Sequence, residues 1–498
     1  MLKPLTTSQA RSAADFFASA GYDRAGLVAA LGSNRAGSLR KRNLPLLRDR
    51  TRELRPLDVA LRWFVAGISV DRAVAADRVP AETLAAFVDC GLLAVDGDEL
   101  RPQAMVVPYE GMYIATDRSI DIEAGDRPDI VLGVNRTTWL LHRFMLHEPV
   151  GTALDLGSGS GALALEAAAF CDKVTATDLN ERAIALARFN VSLNLLDNVE
   201  CLVGDTFEPV ADRSFDRIYT NPPFFVTPSS TLMYCENDME LDGYCRRLTR
   251  EAPAHLNEGG FLQMVCEWPE IKGQELSERL AEWVEGIGCD AWILKGYGEE
   301  VDSYAHKRLV ETTSSTPESD QVIFEEWMRW YRDKGVRAIH GGMIALRKRS
   351  SGSNWIRIEE PPSSPREAFG HAVAERFAMF DLLHEKASDE ALLGERLVLH
   401  ANTVLHRDAV REEGKWKQGP AQLRVGDGIP AARAVDALIL DMISLCDGRP
   451  LGVVIDDFAE RVSAPVEQVR AECLALVRKL AEEGFLAVAP EKTISSDL

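Results

Sequence analysis

The run Asp155-Leu156-Gly157-Ser158-Gly159-Ser160-Gly161 limits the fold of this chain more than any other stretch. Strand-like Thr152–Leu156 leads into it, and an alanine-rich helical stretch, Gly161–Phe170, leads out. A strand, a glycine-rich turn and a helix together bring backbone close to a ligand, because glycine accepts unusual torsions and carries no side chain. Further strands are expected at Val174–Asp178, Glu200–Val203, Arg217–Thr220, Phe261–Trp268, Ala291–Gly296 and Met343–Arg347. Between them, Glu181–Leu195 puts Ile184, Ala187, Val191 and Leu195 on one helical face. This alternation predicts an α/β, Rossmann-like, doubly wound sheet over residues 126–350.

At 498 residues the chain exceeds a single core, so flanking domains are expected. Residues 1–125 are helical by pattern, with a winged-helix-like unit over Leu57–Ala115. There, helices at Leu61–Val70 and Ala81–Cys90 precede a strand, an Asp-Gly turn and a second strand. Ser350–Asn354 and Pro361–Pro365 read as linker. Residues 360–498 form a C-terminal domain with helices at Ala431–Cys446, Asp456–Val462 and Pro465–Glu482, closed by a short strand; this unit too is winged-helix-like by pattern. With 46% apolar and 27% charged residues the composition is globular. No window approaches a membrane span, and the start lacks the apolar core of a signal peptide. The nine cysteines are scattered with no C-x-x-C pair, which predicts reduced thiols in a cytoplasm and no metal site.

Asp178 follows the second strand, where an acid accepts hydrogen bonds from ribose hydroxyls. Up to this point a dinucleotide-binding dehydrogenase fits equally well, and Asp155 and Asp178 also read as ordinary strand-end caps. The second motif is Asn221-Pro222-Pro223-Phe224, after the apolar Ile218-Tyr219-Thr220. Asn221 offers a side-chain carbonyl, and the prolines fix a chain path that presents the Pro222 carbonyl as a second acceptor. Two acceptors against the N–H bonds of a conjugated nitrogen orient it and stabilise the charge that develops when it is alkylated. Phe224 supplies a ring to stack on a planar group. The bland alternative is an Asn-Pro turn with Phe224 and Phe225 in the core.

In this order and spacing the two motifs resemble the Asn-Pro-Pro-Phe/Tyr class of S-adenosylmethionine-dependent methyltransferases, over roughly residues 130–270. The resemblance implies cofactor contacts from Gly157, Ser158 and Gly159, from Asp155 near the methionine amine or sulfonium, from Asp178 at the ribose and from Asp205 at the adenine amine. It implies an acceptor held by Asn221, Pro222 and Phe224, with no metal. Known members methylate guanine N2 or adenine N6 in ribosomal RNA, or glutamine in proteins. Glutamine enzymes usually carry Tyr where this chain has Phe224, which tilts the expectation toward a base. Arg136, at an expected helix start, lies where relatives approach the methionine carboxylate.

The first expectation for the acceptor is therefore a base in structured, ribosomal RNA, docked by a basic island over Arg35–Arg55 of about +6. The net charge of −21 weighs against a general nucleic-acid coat. It favours the alternative, a protein-glutamine or other protein amide acceptor, as does a C-terminal segment weakly similar to peptide-holding PqqD-like winged helices. A further alternative is a non-catalytic regulator that binds the cofactor as a sensor. Tyr304–Arg308, before an irregular Glu311–Asp320, reads as a mobile cover for the acceptor.

Overall fold

The computed structural model describes residues 1–32, 44–118, 127–228, 239–312, 317–350, 352–363, 368–426 and 428–489. They form two compact units: Met1–His142 with Glu148–Ile358, and Arg143–His147 with Glu359–Leu498. The first unit holds both the N-terminal segment and the α/β segment.

Its centre is a sheet of β1 (Val150–Leu156), β2 (Cys171–Asp178), β3 (Val199–Val203), β4 (Phe215–Thr220), β5 (Leu256–Ile271), β6 (Cys289–Glu300), β7 (Val336–Lys348) and β8 (Ile356–Glu359). Among the described residues the strand order is β3-β2-β1-β4-β5-β7-β6-β8. Neighbours from β3 to β5 run parallel, whereas β7 is antiparallel to both β5 and β6. Strand order reverses between β1 and β4. In open sheets of this kind the crevice at that reversal, beyond the carboxyl ends of the strands, is where ligands bind. The central strands are apolar because helices cover both faces: Ala153, Leu154, Val174, Ala176 and Ile218 are at most 1% exposed.

Helices α1 (Arg136–Phe144), α2 (Ala162–Ala167) and α3 (Glu181–Leu193) flank the parallel half, and α4 (Gly243–Glu251) and α5 (Leu276–Val284) follow further along the chain. Asn180 caps α3 by accepting from Arg182 N at 2.9 Å. The N-terminal segment brings helices at Thr7–Ala20, Pro56–Phe64, Arg72–Arg78 and Ala81–Asp89, a three-stranded sheet and the hairpin Met105–Tyr109/Met112–Thr116. Phe16, Phe17, Tyr22, Trp63, Phe64 and Phe87 fill its core, which continues into Ala183, Leu186, Phe189 and Leu193 of α3. The helical flank is thus built onto the α/β domain by a shared apolar core.

Three sequence expectations change. Residues 432–435 are a strand paired with Lys415–Val425, and the helix expected over Ala431–Cys446 begins only at Ala437, where Asp436 accepts from Ile439 N at 2.9 Å. An aspartate that caps a helix start competes with continuing the helix backwards. Between the two stretches expected as linker, residues 356–359 form β8, tied in by Ala291 N, which donates to Trp355 O at 2.9 Å. Of residues 311–320, expected to be irregular, 311–312 end the helix α6 (Val301–Thr312) and 317–320 begin the helix α7 (Pro317–Asp333); residues 313–316 lie outside the described residues.

The second unit has its own core, including Met379, Leu397, Val454, Ile455, Leu474, Val477 and Phe485. Helices Ala437–Ser444, Leu451–Arg461 and Val466–Glu482 accompany a three-stranded sheet, and a second sheet runs over residues 403–435. Among the described residues no helix is long and apolar enough to cross a membrane.

Candidate functional site

The carboxyl ends of β1, β2 and β4 carry the residues singled out in the sequence. Gly157, Gly159 and Gly161 have φ of 71°, 54° and 81°, the left-handed region where a side chain is strained. Gly157 N and Ser158 N both donate to Thr177 O at 2.9 Å, which fastens the turn to the end of β2. A Cβ on Gly161 would stand 3.1 Å from the Ala187 Cβ, so this glycine also admits α3.

Asp155 is buried on β1, where one carboxylate oxygen, Oδ2, accepts from Ala164 N in α2 at 2.9 Å. Burial pushes its pKa up to about 7, helped by the charges of Asp178 and Glu166 and opposed by the Ala164 hydrogen bond. Asp178 accepts from Gly159 N and Asn180 N, each at 2.8 Å, so it shapes the glycine turn directly. Burial raises its pKa while these two hydrogen bonds hold it back. Asp205 is half-buried at the end of β3, where its carbonyl accepts from Glu208 N at 2.9 Å.

Asn221 leaves β4 directly after Thr220, whose Oγ1 donates to Leu156 O at 2.8 Å and holds the ends of β4 and β1 together. Four buried polar atoms here have no hydrogen-bond partner among the described residues: Asp155 Oδ1, Ser158 Oγ, Thr177 Oγ1 and Asn221 Oδ1. A buried acceptor left unpaired costs about 1–3 kcal/mol, so such atoms gathered at one end of a sheet mark a place for a ligand. These residues fit S-adenosylmethionine: a carboxylate for a cation, a hydroxyl and an open glycine turn for the rest. Pro222 is buried and Pro223 half-buried. Phe224 is 7% exposed, its ring 5.6 Å from that of Phe225 at 63°, so little of its face is open to an acceptor.

Sequence reasoning passed over one group and misread another. Burial raises the pKa of the Tyr244 phenol, as do the charges of Asp205 and Asp178, so this tyrosine lies within electrostatic reach of both acids of the expected nucleoside end. Nothing in its local sequence, Asp242-Gly243-Tyr244-Cys245, signals this. The other group lies on α6. Tyr304 and Arg308 are buried against Glu267 of β5, and Tyr304 Oη donates to Glu267 at 2.6 Å. A segment so anchored is not the mobile cover that its sequence suggested. Arg136 opens α1, is exposed and lies over the Tyr297 ring at 5.5 Å. Residues 33–43, which hold half of the basic island, lie outside the described residues. In the other half Arg52 pairs with Asp49 at 3.0 Å and Arg55 with Asp58 at 2.9 Å.

Sheet order, glycine turn and strand-end acids define a class I, S-adenosylmethionine-dependent methyltransferase domain. Residues 133–284 match the family model described as Methyltransferase small domain. Two further family models, each described as a domain of unknown function, match residues 19–103 and 374–488. A release factor glutamine methyltransferase of Bordetella pertussis is 36% identical, over 29% of this chain and 59% of that protein. A ribosomal protein uL3 glutamine methyltransferase of Xanthomonas campestris is 34% identical, over 27% of this chain and 48% of that protein. A release factor glutamine methyltransferase of Rhodopirellula baltica is 30% identical, over 36% and 65%. The chain spans less than two thirds of the length of each of these relatives. All three are named for glutamine in a protein and none for a base in RNA.

Proposed function

We propose that this chain is an S-adenosylmethionine-dependent N-methyltransferase acting on the side-chain amide of a protein glutamine. The observation that carries the reading is the buried, unpartnered Asn221 Oδ1, at the same end of the sheet as the unpartnered Asp155 Oδ1 and Ser158 Oγ. An amide nitrogen is a weak nucleophile because its lone pair is delocalised. Asn221 Oδ1 and the Pro222 carbonyl accept its two N–H bonds, turn the nitrogen toward the methyl donor and stabilise the positive charge it gains. When bound, S-adenosylmethionine supplies the methyl group. Gly157, Ser158 and Gly159 hold its amino-acid end, Asp155 faces the cation, Asp178 takes the ribose, and Asp205 with Tyr244 takes the base.

The names of the relatives support a protein acceptor, and so does the net charge of −21, which disfavours docking on phosphates. Eight buried free cysteines among the described residues support a reducing, cytoplasmic setting. The test is transfer of labelled methyl from S-adenosylmethionine into extract of a deletion strain, divided between RNase and protease. Label lost with protease and recovered as methylglutamine is expected. Label lost only with RNase returns the acceptor to a nucleobase, and absence of label with tight cofactor binding leaves a sensor.

A further inference from the structure

The segment that leaves β4 has no regular secondary structure from Asn221 to Thr227, so no ladder of backbone hydrogen bonds fixes it. Side chains do so instead. Val226 N donates to Tyr304 Oη at 3.1 Å, and Val226 O accepts from Tyr331 Oη at 2.6 Å. Tyr304 gives its own proton to Glu267 Oε2 at 2.6 Å, which leaves its lone pairs to receive Val226 N. Glu267 Oε1 in turn accepts from Tyr297 Oη at 2.6 Å and pairs with Arg308, whose guanidinium lies 3.7 Å over the Phe225 ring. The parallel register Thr220↔Met264 brings the chain beyond Thr220 alongside the residues of β5 that include Glu267. Glu267 is 1% exposed, and Tyr304 and Tyr331 are fully buried.

Tyr304 and Arg308 lie on α6 and Tyr331 on α7, the two helices inserted between β6 and β7, while Tyr297 lies in the last part of β6. All four lie beyond residue 284, where the match to the methyltransferase family ends. A carboxylate buried this deeply is costly, and apolar packing would serve stability as well. Polar ties, by contrast, fix the direction of each backbone group they touch.

We infer that Glu267 is a positioning residue: through Tyr304 and Arg308, and beside the separate tie from Tyr331 to Val226 O, it holds Phe225 and Val226, and thereby sets the angle at which Asn221 and Pro222 meet the acceptor. The catalytic part of this inference rests on the function proposed above; the tie itself does not. Glu267→Gln disturbs a buried ion pair and risks the fold, so the main variant is Tyr304→Phe with Tyr331→Phe, which keeps both rings. Hydrogen exchange read by mass spectrometry on the full chain should speed up over residues 221–228 by ~10-fold or more while β1 to β4 keep their protection. With S-adenosylmethionine and a peptide bearing a single glutamine, kcat should fall ~10-fold with the cofactor Kd within about twofold, and the loss should vanish in an Asn221→Ala background. Unchanged exchange over 221–228, or loss of protection spread across the sheet together with cofactor affinity, overturns the inference. Local loss of protection in a chain whose wild type never methylates the peptide upholds the tie and overturns the glutamine reading.

Discussion

Asn190 Oδ1 accepts from Ala115 N at 2.7 Å while its Nδ2 donates to Ala115 O at 2.9 Å, so one side-chain amide on α3 closes a ring with the backbone of the Met112–Thr116 strand. The same Nδ2 donates to Ser160 O in the glycine turn at 2.9 Å. Two residues on, Ser192 Oγ receives Leu5 N at 2.9 Å, and Asn194 repeats the exchange with Tyr113 at 2.8 and 2.7 Å. Polar residues at the end of α3 therefore join it to the N-terminal segment, and Asn190 also reaches the cofactor turn.

Asn190→Leu strands the Ala115 N–H and two carbonyls in a dry interface. The expected loss of stability is about 3 kcal/mol, read as a lower midpoint in urea unfolding, with weaker cofactor binding because the glycine turn loses its anchor. A change below about 0.5 kcal/mol would show that water replaces the amide.

Asn221→Ala removes the unpartnered acceptor and leaves the fold alone. Methyl transfer should fall ~10²-fold or more with the cofactor Kd nearly constant. Equal loss of transfer and of affinity would remove Asn221 from the role of orienting the acceptor.

Asp178→Ala releases Gly159 N and Asn180 N, which its two oxygens now receive. Calorimetric titration with S-adenosylmethionine should find affinity reduced ~10-fold or more, because the turn loses its shape along with the ribose partner. Unchanged affinity would make Asp178 a simple cap.

Asp155 gives a pH signature. Its folded pKa, about 7, lies above the ordinary 3.8, so between these values the folded protein holds a proton that the unfolded chain has released. Its contribution to stability is present at the acid end, declines as pH rises through that window and is level above about 7. Binding a cation at the ionised carboxylate runs the other way, so affinity for S-adenosylmethionine should weaken ~10-fold or more between pH 8 and pH 5.5. Asp155→Asn should flatten that dependence, and a flat profile in the unmodified protein would remove Asp155 from the cation site.

Much of the catalytic half was legible because its signals are local. Glycines at positive φ, the acids at the ends of β1, β2 and β3 and the short apolar run of β4 are all read within a few consecutive residues. The role of Phe224 was not legible for the opposite reason: whether a ring faces a ligand or packs beside Phe225 depends on what covers it. The helix expected over Ala431–Cys446 failed because apolar spacing there suits a helix, while pairing of Ala421 with Val435 makes the first part a strand. The mobile cover failed because Tyr304 and Arg308 looked like surface residues until Glu267 was found opposite them.

By itself the sequence determined the parallel sheet, the glycine turn with its acids and the asparagine that follows β4, since backbone preference and side-chain periodicity are carried by neighbours in the chain. Only the tertiary structure decided that Asn190 holds Ala115 across 75 residues and that Arg308 meets Glu267 across 41. A polar residue becomes a tie only when folding withdraws it from water and leaves it one partner. Which partner that is depends on how the helices pack, and no local pattern records it.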